Sequence, residues 1–370
     1  MTVTLDALPA MDIAARAERL RAQLVEASVD ALLVTSLWNI RYLTGFTGSA
    51  AMLMVMSDGL VLATDGRYRT QSAEQLGAAG VDALIEVGTT VAAQRQTLAG
   101  AVDPGARIAL EAHSVTWSQQ LALGEVFAGR ELVATEGIVE RLRRVKEPAE
   151  IARIAAACAI ADDALAAMLP RLFEAPTERE FALELEVEMR RRGASGNSFD
   201  PIVASGPNAA KPHARPSERR VEREELIVID FGCIVDGYCS DMTRTVSVGD
   251  PGADARHVWD VVRESQMAGR AAVHAGADCA TVDRACRDVI AAAGWADAFV
   301  HGTGHGVGLE IHEAPRVAAS ARDTLDPGSV VTVEPGVYLP GVGGVRIEDT
   351  VVVTPVGSDP LTAFPKELVL

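Results

Sequence analysis

The chain has 370 residues, which at about 150 residues per domain predicts two or three domains. Hydrophobic residues make up 48% and charged residues 23% of the sequence, which is typical of a globular protein with its own core and excludes a largely disordered one. The formal net charge of -17 opposes binding to phosphate backbones and anionic lipids, so we expect neither nucleic acid nor a membrane as a partner.

No apolar run approaches the ~20 residues that a membrane helix needs. The stretch MTVTLDALPAMDIAARAERL lacks the basic segment and apolar block of an export signal, so we expect a cytoplasmic location. The cysteines form an odd set without C-x-x-C spacing, which predicts reduced, packed thiols rather than disulfides or a zinc ribbon. They are Cys158, Cys233, Cys239, Cys279 and Cys286.

The first part of the chain alternates helical and strand-like segments, which is typical of an α/β layer structure. These segments predict a compact N-terminal domain over residues 1–140. Helices are predicted near 14–27, 68–76 and 92–98, and strands at 31–34, 52–56, 60–63, 83–87 and 107–110.

Residues 141–150, RLRRVKEPAE, are rich in charge and predict a hinge, with Pro148 in the first turn of the next helix. A Thr177 N-cap with Glu180 forms a capping-box pattern and predicts a helix over 177–192. The pattern beyond the hinge predicts an α+β domain over 151–370. Further helices are predicted at 151–169, 256–274 and 280–293, and strands at 226–235, 238–248, 330–337 and 345–353.

Two aspartates fall in the strand-like segment LIVIDFGCIVDGYCSDMTRTVSVG. Apolar residues lead into Asp230, the turn Val-Asp-Gly reverses the chain, and Asp241 lies on the returning strand, so the pattern predicts a hairpin that presents two carboxylates. A buried carboxylate needs a partner because a bare charge is costly in an apolar interior. A metal ion is one such partner, and a salt bridge to Arg244 is the alternative for this hairpin taken alone.

The segment HGTGHGVGLEIHE carries His301, His305 and His312. The first two have the spacing of a helical zinc pair, but Gly302 and Gly304 disfavour a helix and indicate close backbone packing instead. The glycines also lack the strand-then-helix context of a dinucleotide-binding loop. Judged alone, the segment leaves structural histidines open as an alternative to metal ligands.

Glu334 in VVTVEPGVYL and Glu348 in GGVRIEDTVVV are each embedded in an apolar strand pattern. Together with Asp230 and Asp241 they contribute four negative charges, which balance two divalent cations. His305 adds a neutral ligand. Oxygen-rich ligation with one imidazole suits Mn²⁺, Co²⁺ or Fe²⁺ better than structural zinc, although Zn²⁺ stays an alternative.

These four acidic residues and His305 occur along the chain in the contexts DFG, SDMTRT, HGTGHGVG, VEPG and RIED. This ordered set resembles the pita-bread-fold metallopeptidases, which include methionine aminopeptidase, aminopeptidase P and prolidase. The segments NIRYLTGF at 39–46 and ATDGRY at 63–68 resemble the N-terminal domain of prolidases, aminopeptidases P and creatinases. The resemblance implies a C-terminal pita-bread domain preceded by a smaller α/β domain. That N-terminal domain argues against methionine aminopeptidase, and the ligand set argues against creatinase.

The resemblance also implies roles for the acidic residues and the histidine among them. The first Asp binds one metal ion, the second Asp and the last Glu bridge the pair, and the His and the other Glu complete the second site. These positions are Asp230, Asp241, Glu348, His305 and Glu334 in this sequence.

The family resemblance implies that three further histidines lie near the substrate and that one arginine lies behind the metal ligands. His213, in NAAKPHARPS, is expected to stabilise the tetrahedral intermediate or assist proton transfer. His312 contacts the substrate on the same side, and His301 lines the pocket. Arg346 fixes a bridging carboxylate, and Glu334 carries a proton from the attacking water to the leaving nitrogen.

The resemblance therefore implies an Xaa-Pro dipeptidase or Xaa-Pro aminopeptidase that holds two divalent ions, foremost Mn²⁺, and forms a homodimer. Its substrate is a short proline-containing peptide. One alternative is a hydrolase or lyase of a small non-peptide metabolite on the same scaffold, and another is a non-catalytic binding module. The intact ligand set disfavours the binding module.

Overall fold

The computed structural model describes residues 7–370, which divide into two compact units. The first unit comprises residues 10–143, and the second comprises residues 144–370 together with residues 7–9. Residues 1–6, with which the first predicted domain begins, lie outside the described residues.

In the first unit, all the helices and strands that the hydrophobic pattern predicts are present. Four elements that the pattern did not predict are added to them, namely helices at 37–44, 117–126 and 138–144 and a strand at 131–135. The helices are α1 Ala14–Glu26, α2 Leu37–Thr44, α3 Arg69–Ala78, α4 Val91–Gly100, α5 Trp117–Val126 and α6 Ile138–Arg144; the strands are β1 Ala31–Val34, β2 Ala51–Met56, β3 Leu60–Thr64, β4 Leu84–Val87, β5 Arg107–Glu111 and β6 Glu131–Thr135.

The six strands of the first unit form one mixed sheet in the order β4-β3-β2-β1-β5-β6. The central strands β1, β2 and β3 are antiparallel neighbours, whereas β4, β5 and β6 join in parallel. Residues from β1, β2 and β5 pack with α4 and α5 in a core that includes Leu33, Met54, Ile108, Leu98 and Leu123. The predicted α/β arrangement is confirmed.

The second unit contains four long helices and thirteen strands. The helices are α7 Pro148–Met168, α8 Glu178–Arg191, α9 Ala253–Ala272 and α10 Cys279–Ala292; the strands are β7 Gly196–Asn197, β8 Ile202–Ser205, β9 Ile227–Phe231, β10 Cys233–Val235, β11 Tyr238–Cys239, β12 Met242–Val246, β13 Gly304–Gly306, β14 Glu313–Val317, β15 Val330–Val333, β16 Gly336–Leu339, β17 Gly343–Arg346, β18 Asp349–Thr354 and β19 Gly357–Pro360.

Each half of this unit pairs two helices with antiparallel strands. Helices α7 and α8 precede the sheets β12-β9-β8 and β11-β10-β7, and α9 and α10 precede the five-stranded sheet β14-β13-β15-β18-β19. One core joins Ile160 and Leu185 of the first helix pair to Ile229, and the other joins Val262 and Cys286 of the second pair to strands such as β15. Strands β16 and β17 form a separate two-stranded ribbon. The predicted α+β class is confirmed.

Two of the four long strands predicted for this domain are broken at glutamates. The run 330–337 divides into β15 and β16 at Glu334, and the run 345–353 divides into β17 and β18 at Glu348. Pro335 follows Glu334 and has no N–H to continue the ladder, and the strands on either side of each break pair with different partners. Both glutamates therefore lie at junctions between strands that pair with different partners, outside the regular strand ladders.

The segment 141–150, predicted to be a hinge, is regular in the structure. Helix α6 continues to Arg144, Val145 forms an antiparallel bridge with Ser329, and α7 begins at Pro148. Residues 7–9, assigned from the sequence to the first domain, pack with the second unit because Leu8 joins the α7–α8 core and Pro9 O accepts a 2.8 Å hydrogen bond from Arg153 Nη1.

The five cysteines are buried and form no disulfides, as the sequence predicted. Their surroundings also keep them protonated, since burial raises the pKa of Cys233, Cys239 and Cys286 to about 12. Among the helices of residues 7–370, none has the length and apolar character that crossing a bilayer requires.

Candidate metal centre and active site

The two aspartates lie on the hairpin that the sequence predicted. Asp230 is the fourth residue of β9 and pairs with Thr243 of the antiparallel strand β12. The chain reverses between β10 and β11 at Asp236 and Gly237, both of which have positive φ. Asp241 lies one residue before β12 rather than on it. Both aspartates are at least nine-tenths buried, and they sit side by side at one end of the sheet.

His305 is the central residue of β13, and it lies between Gly304 and Gly306, where close backbone contacts leave no room for a larger residue. A Cβ atom on Gly304 would lie 2.0 Å from Thr332 O, and one on Gly306 would lie 2.3 Å from Ala314 O. The close backbone packing predicted for this segment is therefore present. It holds β13 tightly between β14 and β15, so the imidazole of His305 is presented from a rigid strand.

The structure brings all five predicted metal ligands together. Carboxylate oxygens of Asp230, Asp241 and Glu348 lie within 4.8 Å of one another. His305 Nε2 is 3.5 Å from Asp241 Oδ2 and 3.4 Å from Glu334 Oε1. Residues from the hairpin around 230–241, from strand β13 and from the strand junctions at 334 and 348 therefore converge on one small volume.

The carboxylate cluster is poorly neutralised by the protein itself. Burial raises the pKa of Asp230, and it raises the pKa of Asp241 and Glu348 well above their ordinary values, with the neighbouring carboxylates adding to the effect. Two buried oxygens, Asp230 Oδ1 and Glu348 Oε1, have no hydrogen-bond partner among residues 7–370. Buried, unpaired carboxylate oxygens that face one another are the donor set expected for hard divalent cations, so these residues fit a metal site.

Glu334 differs electrostatically from the other three acids. Burial opposes its ionisation, but the hydrogen bond and positive charge of His305 outweigh burial and lower the pKa of Glu334. Burial likewise opposes the charged form of His305, yet Glu334 raises the pKa of His305. Thr332 Oγ1 also donates to Glu334 Oε1 at 3.3 Å. Glu334 is thus the carboxylate of the set that this protein holds most readily as an anion.

Arg346 is the one guanidinium among the described residues that donates to a carboxylate of the cluster, and it is 3% exposed. Its Nη2 donates to Asp230 Oδ2 at 2.5 Å, its Nε to Thr243 Oγ1 at 3.1 Å, and its Nη1 to Tyr338 OH at 2.6 Å. Thr243 in turn donates to Glu348 Oε2 at 2.8 Å. Arg346 therefore orients Asp230 directly and Glu348 through Thr243.

A cavity of about 1190 Å³ opens onto the cluster. Asp230, Asp241, His305 and Glu334 line it, together with the three other histidines predicted near the substrate, His213, His301 and His312. Glu348 lies behind the lining and is 1% exposed.

The three cavity histidines have distinct surroundings. His312 packs edge-on against His305, with ring centroids 4.3 Å apart. His301 Nε2 lies 2.9 Å from Tyr338 OH, and burial lowers the pKa of His301. Burial also lowers the pKa of His312, with a further contribution from the charge of His305. Both imidazoles are therefore held toward the neutral form. His213 is exposed on the cavity wall.

Sequence reasoning missed the arginines and apolar residues of the cavity. Arg316 is the cross-strand partner of His305 and faces the cavity, and Arg215 follows two residues after His213. Phe199 and Leu183 add apolar surface. The proximity of Arg316 to the histidine motif was a usable signal, since it lies four residues after His312. The contribution of Leu183 from α8 had no signal because it depends on tertiary packing.

Comparison with known proteins assigns both parts of the chain to known domain families. Residues 152–355 match the model of metallopeptidase family M24, and residues 16–145 match the creatinase/prolidase N-terminal domain. The chain belongs to metallopeptidase family M24. The predicted family, the two-domain pita-bread fold and the prediction of a hydrolytic enzyme are thereby confirmed, and as a member of M24 the chain belongs to a family that uses divalent metals.

Individual relatives of this M24 peptidase align along nearly its whole length. The uncharacterized peptidase YqhT of Bacillus subtilis is 40% identical over 355 residues, covering 95% of this chain and 99% of that protein. The solved structure of an Xaa-Pro dipeptidase from Bacillus anthracis covers 97% of this chain and 100% of its own, with 39% identity and a TM-score of 0.91. An X-Pro aminopeptidase structure from Thermotoga maritima covers 96% and 100%, with 34% identity and a TM-score of 0.86.

Proposed function

We propose that this M24 peptidase is a dinuclear metal-dependent enzyme that cleaves the Xaa-Pro bond of dipeptides or short peptides. The observation that carries the proposal is the buried carboxylate cluster beside a histidine-lined cavity. Among residues 7–370, Arg346 is the one arginine or lysine that donates to these carboxylates, and His305 is the basic group beside them, so the cluster has the charge that two divalent cations would balance. The relatives named as Xaa-Pro dipeptidase and X-Pro aminopeptidase support the substrate class.

The five converging residues are the ligands that we propose for the two ions. Asp230 would hold one ion, His305 and Glu334 would hold the other, and Asp241 and Glu348 would be shared between them. Four carboxylates and one imidazole favour Mn²⁺, with Co²⁺, Fe²⁺ and Zn²⁺ as alternatives. When bound, such a pair supplies a nucleophile from water near neutral pH and polarises the scissile carbonyl.

The protein's own side chains complete the proposed chemistry. Glu334, which is held as an anion, takes the proton of the attacking water at a carboxylate oxygen and delivers it to the leaving proline nitrogen. His213 stabilises the oxyanion that develops on the scissile carbonyl from the cavity wall. His312 contacts the substrate on the same side as His213, His301 lines the pocket, and Arg346 keeps Asp230 in place through their 2.5 Å contact.

Proline at the cleaved bond fits this arrangement for a chemical reason. A bond to proline is a tertiary amide whose nitrogen has no N–H, and the ring fixes φ near about -65°. A site that recognises the carbonyl oxygen and the chain end requires neither an N–H nor an extended backbone. The largely neutral rings of His301 and His312 offer surfaces against which a pyrrolidine ring can pack.

The arginines of the cavity support a short substrate with a free carboxyl end. Arg316 and Arg215 are exposed in the lining, and neither forms an ion pair with a carboxylate among residues 7–370. In a chain with a net charge of -17, two unneutralised guanidiniums beside the site favour a carboxylate ligand. We therefore favour Xaa-Pro dipeptides over longer peptides.

A substrate panel with defined metal loading tests the proposal. With Mn²⁺ or Co²⁺ supplied, we expect Ala-Pro to have a much higher kcat/KM than Ala-Ala, and Ala-Pro to exceed both Ala-Pro-Ala and the carboxyl-blocked alanyl-prolinamide. The variant Arg316→Met should narrow the difference between Ala-Pro and its amide. Equal rates for Ala-Pro and Ala-Ala would remove proline from the mechanism.

Cleavage of neither compound would favour the hydrolase or lyase of a non-peptide metabolite. Metal content near zero after purification with Mn²⁺ would favour a binding module instead. The expected homodimer is measured by light scattering on the same preparation.

A further inference from the structure

Residues 205–217, in the connection between β8 and β9, form a loop that carries His213 to the cavity, and one buried carboxylate closes the base of that loop. Glu178, the first residue of α8, is completely buried. Its Oε1 accepts hydrogen bonds from both the backbone N–H and the hydroxyl of Ser205, each at 2.8 Å. Its Oε2 accepts from the N–H and the hydroxyl of Ser217, at 3.0 and 2.6 Å. The two ends of the loop are thus tied to the same side chain.

Further contacts make this base rigid. Asn208 Nδ2 donates to both oxygens of Glu178 at 3.1 Å. Arg219 Nη1 donates to the Ser205 hydroxyl at 2.7 Å, and Arg219 is itself fixed by two hydrogen bonds to Glu225 at 2.6 and 2.7 Å. A loop whose ends meet and whose base is packed by its own side chains has the character of an Ω-loop.

At the tip of the loop, next to His213, the backbone is held by Arg346. Arg346 Nη1 donates to Pro212 O at 3.2 Å, next to His213. Among residues 7–370, the His213 imidazole itself makes no hydrogen bond, ion pair or ring contact, and it is exposed to the cavity. The location of the imidazole is therefore set by the path of the loop, which is fixed at its tip by Arg346 and at its base by Glu178.

We infer that Glu178 is a positioning residue for His213. The inference rests on the proposed function, in which His213 acts on the substrate. A carboxylate is required at this point because every group that faces it is a donor: two backbone N–H groups, two hydroxyls and one amide NH₂. The isosteric Glu178→Gln places an NH₂ group against N–H donors, so one end of the loop is released.

A double-mutant cycle on the metal-loaded enzyme tests the inference. His213→Ala should lower kcat for Ala-Pro by ~10²–10³, as for loss of one transition-state donor. Glu178→Gln should lower kcat by ~10–10² with a smaller change in KM and with metal content unchanged. In the His213→Ala background, Glu178→Gln should lower kcat no further, because the residue that it positions is absent.

Asp162→Asn is the matched control. Asp162 is also a helix carboxylate that anchors a distant segment, since it accepts the N–H groups of Ala363 and Phe364 at 2.8 and 3.1 Å, but that segment carries no cavity residue. We expect this variant to lower the Tm and to leave kcat unchanged. If Glu178→Gln does not fold, Ser217→Ala removes one hydroxyl donor and keeps the backbone bond, and its few-fold loss of kcat should also vanish in the His213→Ala background.

The outcomes separate the inference from the function on which it rests. If His213→Ala leaves kcat unchanged, the proposed role of His213 is wrong and the inference is rejected with it. If His213→Ala lowers kcat and Glu178→Gln lowers it by the same factor in both backgrounds, Glu178 acts independently and only the inference is rejected. Wild-type kcat in a folded Glu178→Gln enzyme would reject it as well.

Discussion

Glu348 and Asp349 are consecutive residues, both completely buried, whose carboxylates have opposite surroundings. The Glu348 side chain accepts one hydrogen bond, from Thr243, and faces other acids; burial and those charges raise its pKa well above the ordinary value. Asp349 accepts hydrogen bonds from Arg244 at 3.1 Å and Lys366 at 2.6 Å. These partners outweigh burial and lower the pKa of Asp349.

The difference distinguishes a structural acid from a ligand. The side chains of consecutive residues that enter a strand point to opposite faces. Glu348 therefore lies among other carboxylates with too few positive charges, whereas Asp349 lies among basic side chains that neutralise it. A buried carboxylate with its own cations stabilises the fold and needs nothing from solution. A buried carboxylate among other carboxylates needs a cation that the chain does not provide.

Neutralising a proposed bridging acid should have the largest effect and tests whether the Glu348 cluster binds metal. Asp241→Asn should abolish metal binding and turnover together, because an amide cannot offer two anionic oxygens to two cations. Elemental analysis and Ala-Pro hydrolysis measure both. Chelation of the wild-type enzyme should have the same effect, reversed by Mn²⁺. Two ions per chain and a near-native rate in Asp241→Asn would contradict its assignment as a bridge.

Asp349→Asn should have the opposite profile. It leaves Arg244 buried without its carboxylate, which costs about 3–5 kcal/mol of unfolding free energy. The folded fraction should still bind two ions per chain, because Asp349 points away from the metal cluster. Denaturant titration gives the first quantity and elemental analysis of folded protein the second. Selective loss of metal with unchanged stability would contradict the claim that Asp349 stabilises the fold and is not a metal ligand.

The pH dependence of stability should separate the two clusters as well. Asp241 and Glu348 have pKa values raised above their ordinary values of 3.8 and 4.5. In metal-free protein, their contribution to folding stability is therefore present below those ordinary values and is lost as the pH rises through the raised values. Asp349 has a lowered pKa, so its contribution is present above 3.8 and is lost as pH falls through the lowered value. Metal binding relieves only the first cluster.

The increase in Tm that Mn²⁺ produces should therefore be larger at about pH 8 than at about pH 5.5, since metal binding requires deprotonated ligands. Thermal unfolding with and without Mn²⁺ at both pH values measures it. An increase independent of pH would mean that the cluster is already ionised in the metal-free protein.

The smallest effects come from two matched threonines. Thr243 donates to Glu348 at 2.8 Å and Thr362 to Asp349 at 3.2 Å. Thr243→Val should weaken metal affinity by about 10–100-fold, with activity recovered at saturating Mn²⁺. Thr362→Val should cost about 1 kcal/mol of stability and leave metal affinity unchanged. Similar metal titrations for the two variants would remove the distinction between the clusters.

Periodicity and motif chemistry predicted most of the fold and the convergence of the five ligand residues. The strand breaks at Glu334 and Glu348 were not predictable, because an apolar run gives no sign of where its pairing partner changes. The contacts of Glu178 were hidden for a similar reason. The capping box in Thr-Glu-Arg-Glu explains Thr177 and Glu180 and leaves Glu178 between them without a local role. Its partners, 27 and 39 residues away, exist only in the folded chain.

The segment that joins the two units has a practical consequence for dividing the chain. Lys146 is 4% exposed, and its Nζ lies 2.6 Å from Glu313 Oε1, next to His312, while its backbone N–H binds Gly328 O at 3.0 Å. A fragment that starts at Glu147 would remove the ammonium beside a buried carboxylate that adjoins the cavity. A fragment meant to carry residues 144–370 of the second unit should therefore begin no later than Arg144, and a protease site engineered between the units belongs before that residue.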